Sequence, residues 1–236
     1  MNEALLEKIK SRMYWRINIR PASIAENSLI ESKQIVQNAS ISLRGWDYPH
    51  IHRRENDQTG ADNNGNNFVE NWCDWSNHLE LWRIYQSSQF IHYLALREAW
   101  KDSDEFSNSG AINGESPEKY VSVVGSLWTL TEIFEFSFSM YNEGLYQDGC
   151  NIEISLRNCA GAELYIDDFS RVGFSYPRET SAESLDFAIS LSSVDLKNAN
   201  PELSLNVAKD FFDKFGWESP IDLLKNDQQR LLTKSF

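Results

Sequence analysis

One stretch limits the folds open to this chain more than any other. From Ser116 to Gly144 it reads SPEKYVSVVGSLWTLTEIFEFSFSMYNEG. Tyr120, Val123, Leu127, Leu130, Phe134, Phe138 and Tyr141 recur at spacings of three and four, the period of a helix face. Ser116 with Pro117 reads as an N-cap followed by the first helical position. Gly144 reads as the residue just past the end. Apolar residues also fill most of the remaining circumference. A helix of this kind cannot lie on a surface and must be enclosed by other elements.

Those other elements are of two kinds. Residues 2 to 12 pattern as a short amphipathic helix with Leu5, Leu6 and Ile9 on one side. Tyr14 to Arg20 alternates: Trp15, Ile17 and Ile19 point one way, and Tyr14, Arg16, Asn18 and Arg20 the other. That is a half-buried strand stopped by Pro21. Asn27 or Ser28 caps a helix to about Gln37. Residues 39 to 44 alternate again, with Ile41 and Leu43 inward. Strands are expected near Asn151–Arg157, Glu163–Ile166 and Leu185–Leu191. Two helices close the chain. One follows Asn200-Pro201, buries Leu205, Ala208, Phe212 and Phe215 and ends at Gly216. The other follows Ser219-Pro220 and runs to about Leu232. Alternating segments kept apart from helical ones imply an α+β fold. A mainly antiparallel sheet packs against the long central helix, with the C-terminal helices added.

Two polar stretches, residues 53–67 and 101–115, read as loop insertions within a single domain spanning 1–236. The apolar patterns on either side are too short to form separate cores. No run of about eighteen apolar residues occurs, so no membrane span is expected. The N-terminus has no signal-peptide apolar core, and the three Cys (73, 150, 159) form no CxxC pair, which suits a reducing cytoplasm. The net charge of -13 is lopsided. Residues 1–100 carry 11 basic and 12 acidic side chains, and the remainder 11 and 23. Non-specific nucleic-acid binding by the whole chain is therefore disfavoured.

The residues that could carry chemistry are concentrated between Trp72 and Trp100, WCDWSNHLELWRIYQSSQFIHYLALREAW. Two apolar runs flank Ser87-Ser88, which reads as a hairpin turn. Trp82 then opposes Tyr93, and Arg83 faces His92. A single helix from Ser76 to Lys101 is the competing reading. All four His fall in one region, and His50-x-His52 and His78-x-Glu80 have the spacing of strand-borne chelating pairs. Without HExxH or a Cys pair they make a poor metal site, so no metal and no cofactor are expected, and the Cys are read as small core residues. His92 with Arg83 and Glu80 has the composition of an acid/base site. Trp46, Trp72, Trp75, Trp82 and Trp100 could stack on a ligand or lie in the core. Glu132 and Glu135 are out of place on so apolar a helix and call for a cavity or an Arg partner from the sheet.

The segments LRGWDYPHI, WSNHLELWRIYQSSQFIHYLALREAW, LWTLTEIFEFSFSMY and FFDKFGW resemble a poorly characterised bacterial domain. It forms the C-terminal part of proteins with an N-terminal Schlafen-type AlbA domain assigned to DNA binding. The resemblance spans roughly Tyr14 to Leu232 and leaves out the AlbA part. It implies a stand-alone sensing or accessory protein, encoded beside an effector and acting in phage defence. It implies no catalytic residues, and it implies Ser-Gly where this chain has Ser87-Ser88. The reading that follows is a non-catalytic binding or sensor module. It engages a protein partner or small ligand through Trp46, His78, Glu80, Trp82, Arg83 and His92. A small His-dependent hydrolase or nuclease is the alternative.

Overall fold

The structure is a computed structural model that describes residues 2–23, 26–53, 58–62, 67–76, 78–100, 119–168 and 171–235. In chain order these form α1 (Glu3–Lys10), β1 (Tyr14–Pro21), α2 (Leu29–Ala39), β2 (Thr59–Asp62), β3 (Phe68–Trp75), β4 (His78–Tyr85) and β5 (Phe90–Ala95). A 3-10 turn at Arg97–Trp100 follows. Then come β6 (Tyr120–Ser122), α3 (Val123–Asn142), β7 (Cys150–Arg157), β8 (Ala162–Tyr165), β9 (Glu179–Thr180), β10 (Ser184–Leu191), α4 (Ser193–Asn198), α5 (Glu202–Asp213) and α6 (Ile221–Leu232).

The fold is α+β. Seven strands form one antiparallel sheet in the order β10-β7-β1-β5-β4-β3-β2. A small second sheet, β6-β8-β9, has a parallel and an antiparallel pair. The alternation of β1 holds: Trp15, Ile17 and Ile19 are buried on the face that meets α3 and α5, where Trp15 lies 5.2 Å from Phe211. The main core draws on residues from both sides of the 101–115 stretch. On the other face, α1 sets Leu5, Leu6 and Ile9 against Leu79, Leu81 and Ala95. Among the described residues, no helix is long and apolar enough to cross a membrane.

Several sequence expectations need correction. Ser116-Pro117 and all of 101–115 lie outside the described residues, but the central helix begins later than its pattern suggests. Residues 120–122 are strand β6, and Ser122 caps α3 by accepting from the Gly125 N–H at 2.6 Å. Its C-terminus is as read. Gly144 has φ +98°, its N–H reaches the Tyr141 carbonyl, and the Leu145 N–H reaches that of Met140, the two bonds of a Schellman ending. Residues 39–44 form no strand; only Ile41 bridges to Tyr48. The polar stretch 53–67 contains β2, and β3 follows it.

The 76–101 segment is not one helix. It contains β4 and β5, in a register one residue from the expected one: Trp82 pairs with His92, and Arg83 with Ile91. The loop has three residues rather than two. The Ser88 N–H bonds to the Tyr85 carbonyl, and Ser88 takes φ +62°, the left-handed residue that closes such a loop. A one-residue slip exchanges the faces of a strand. Arg83 and His92 therefore lie on opposite faces of the sheet. Ser88 holds the left-handed conformation while Asn27 donates to its Oγ at 2.8 Å and Tyr146 to its carbonyl at 3.1 Å.

Candidate functional site

The centre of the region is Glu80. It points into the core-side face of the sheet, where β3 contributes Asn71, Cys73 and Trp75, β4 His78, Glu80 and Trp82, and β5 His92. The register makes this arrangement. Cys73 is the cross-strand partner of Glu80, Trp75 that of His78, and Asn71 that of Trp82. His78 and Glu80 are two residues apart on one strand and so share a face. His78 Nε2 lies 3.1 Å from Glu80 Oε2, and His92 Nε2 lies 3.5 Å from the same oxygen.

The segment after α2 covers these side chains. Among the described residues no strand pairs with its backbone, and side chains of β3 and β4 satisfy it instead. The His50 N–H donates to Glu80 Oε1, the His52 N–H to Asn71 Oδ1 at 3.0 Å, and Trp82 Nε1 to the His50 carbonyl at 2.7 Å. Buried backbone groups need partners, and this row of polar side chains supplies them. The His50 ring meets Trp75 edge-on at 4.9 Å, and Tyr48 meets His92 at 5.4 Å.

Burial separates the sequence-derived site residues into two groups. Trp82 and His92 are fully enclosed. Arg83 lies on the α1 side, where its Nε bonds Glu70 Oε2 at 2.5 Å and its guanidinium stands over Phe68. Of the cluster expected of an acid/base site, His92 and Glu80 come together, but Arg83 does not join them. Trp46, by contrast, is 41% exposed, and the His78 side chain 23%. Their rings lie 6.0 Å apart, and Trp75 is 6.0 Å from His78 on the other side. Arg44 stacks on Trp46 at 5.5 Å and pairs with the buried Glu132 of α3. Glu132 thus finds its Arg, from the segment after α2 rather than from the sheet.

The electrostatics follow from this packing. Burial pushes the Glu80 carboxyl up, but the His78 hydrogen bond and the nearby His92 outweigh it and hold the group below the usual carboxylate range. Burial lowers the His50 imidazole, with Glu80 pulling it the other way. Burial, reinforced by the Glu80 charge, raises the Cys73 thiol. Of the two candidate chelating pairs, only His78-x-Glu80 converges. His52 turns away, its Nδ1 3.2 Å from Thr59 Oγ1. The cluster also includes Cys73, which the sequence reading assigned to the core. Its signal was there in principle: antiparallel pairing of Trp75 with His78 makes 73 and 80 cross-strand partners.

A scan against protein-family models, a search of curated proteins and a search of solved structures each found no match.

Proposed function

We propose that the chain is a non-catalytic binding module. It engages a protein partner or small ligand through the surface formed by Trp46, Trp75, His50 and His78. The observation that carries this reading is the exposed Trp46 ring. It is fixed from one side by Arg44, itself tied to Glu132, and is flanked by the half-open His78. A large apolar side chain held rigid at the surface beside polar groups has the composition of an interface anchor. The occupant this surface suits presents an apolar or aromatic group to Trp46 and a polar atom to His78. Trp82, Arg83 and His92 then support the surface from within rather than contact the partner. The hydrolase alternative, His92 with His78 or Glu80, keeps both His beside Glu80, but Arg83 lies on the opposite face of the sheet. The accessory role in phage defence rests on the family resemblance alone.

The test is quantitative capture from a lysate of the native host, reading both protein and small-molecule fractions. Wild type is compared with Trp46→Ala and with Val194→Ala, an exposed residue elsewhere. Trp46→Ala is expected to lose the captured species at an unchanged melting temperature, while Val194→Ala retains it. Equal capture by all three contradicts the assignment.

A further inference from the structure

Cys73 Sγ, a His78 ring nitrogen and a Glu80 carboxylate oxygen lie within 4.8 Å of one another. We propose that they form a binding site for a zinc-class transition-metal ion, with His92 Nε2, which contacts Glu80 but lies outside this group, turning in as the fourth donor. Thiolate, imidazole and carboxylate together are a ligand set that zinc accepts.

Three features support the assignment. The first is spacing. Zinc–nitrogen and zinc–oxygen bonds of about 2.0–2.1 Å at tetrahedral angles put ligand atoms roughly 3.3 Å apart. Glu80 Oε2 stands 3.1 Å from His78 Nε2 and 3.5 Å from His92 Nε2, on either side of that value. The second is an unsatisfied donor. His92 is fully buried; among the described residues its Nδ1 has no hydrogen-bond partner, and its Nε2 has only a long contact with Glu80 Oε2, at 3.5 Å. Leaving such a group unpaired in the interior is costly, and a bound cation would use it. The third is preorganisation. Cys73, His78 and Glu80 are already gathered by two paired strands, and His92 stands on the next strand, so no loop is needed to bring the donors together and only His92 has to shift. Glu80 Oε1 is already occupied by the His50 N–H, which orients the carboxylate with Oε2 toward the other donors.

Charge also balances. On loading, the Cys73 thiol gives its proton to solvent. Thiolate and carboxylate then neutralise a divalent ion with both imidazoles uncharged, so the buried site holds no net charge. The ion would enter past His78, whose side chain reaches solvent. The expectation that no metal binds rested on the lack of a Cys pair and did not count Cys73. This site does not depend on the docking role of Trp46, and its readout is metal content rather than partner capture.

The experiment uses the untagged full chain, stripped with chelator and titrated with Co²⁺ and then Zn²⁺, beside Cys73→Ser and His78→Ala. Circular dichroism and thermal melts check the fold of each. The expected result is one metal per chain, a thiolate-to-cobalt charge-transfer band, and a melting temperature that rises with Zn²⁺. Cys73→Ser should lose the band. His78→Ala should bind more weakly by at least the roughly 10–100-fold that loss of a mere outer-shell contact costs. A folded wild-type chain with no sulfur band and no Zn²⁺-dependent rise overturns the proposal. So does wild-type affinity in both variants, which would put the metal elsewhere. Should one variant fail to fold, the other decides.

Discussion

Arg83→Ala separates the present account from one in which Arg83 contacts a partner. The Arg83 side chain is 8% exposed, and that of Glu70, its partner, is fully buried. Glu70 also accepts the Asn2 N–H at 2.9 Å, which fastens the start of α1 to the sheet. Among the described residues, removing the guanidinium leaves the buried carboxylate with the neutral Asn2 N–H as its donor. Breaking a buried pair from one side costs about 3–5 kcal/mol. For a chain of this size that lowers the melting temperature by roughly 6–20 °C, at about 2–4 °C per kcal/mol. Replacing both partners, Arg83→Met with Glu70→Leu, removes the stranded charge and should recover most of the loss. Urea unfolding at neutral pH of wild type, Arg83→Ala, Arg83→Met, Glu70→Leu and the Arg83→Met/Glu70→Leu double variant measures the coupling directly. An Arg83→Ala chain within about 1 kcal/mol of wild type, with additive effects in the double variant, would refute the buried-pair argument. The substitution is then a stability probe, and lost binding in it would not locate a partner surface.

Two further outcomes follow from the geometry. Ser88→Ala should destabilise more than Ser88→Gly in thermal melts. Both lose the Asn27 bond, but glycine relieves the left-handed backbone at φ +62° and alanine does not; the reverse order would mean that the loop is not as described. His50 is held neutral by burial, with its folded pKa below the unfolded value. The unfolded chain therefore takes up the extra proton as pH falls through about 6.5, and stability falls with it. His50→Asn should flatten the change in urea midpoint between pH 7.5 and 5.5, and an unchanged slope would count against a buried neutral His50.

How much the sequence revealed depended on whether a local rule had a competitor. The strand at Trp15, Ile17 and Ile19 faced none, because one side is wholly apolar and the other polar. Ser28 with Glu31 forms a full capping box, and the helix after it starts where a cap was expected. The start of α3 was misread because Ser116-Pro117 is a stronger local signal than Ser122. The Ser122 cap depends on a distant partner, Asp167, whose Oδ2 it bonds at 2.5 Å. Strand β3 was hidden because both its faces are partly covered, α1 on one side and the 48–52 segment on the other, so its polar and apolar residues do not alternate cleanly. The hairpin was recognised but its register was not, since a left-handed Ser at 88 has no sequence mark as plain as Gly. That single residue put His92 on the Glu80 side; Arg83, three residues along the same strand, faces away from Glu80 in any register. The His78–Glu80 pair was legible from i, i+2 spacing alone. The burial of Trp82 and Arg83 was not, because a composition suited to an interface is equally suited to a core.

The central claim is that the working surface is the Trp46–Trp75–His78 rim, with Trp82 and Arg83 beneath it as support. Oxidative footprinting read by mass spectrometry tests it most directly, on the free chain and on the chain carrying its captured partner or ligand. The account predicts that Trp46 oxidation drops on loading while Tyr176, exposed elsewhere on the molecule, is unchanged. Protection at Tyr176 with Trp46 still fully reactive would contradict it.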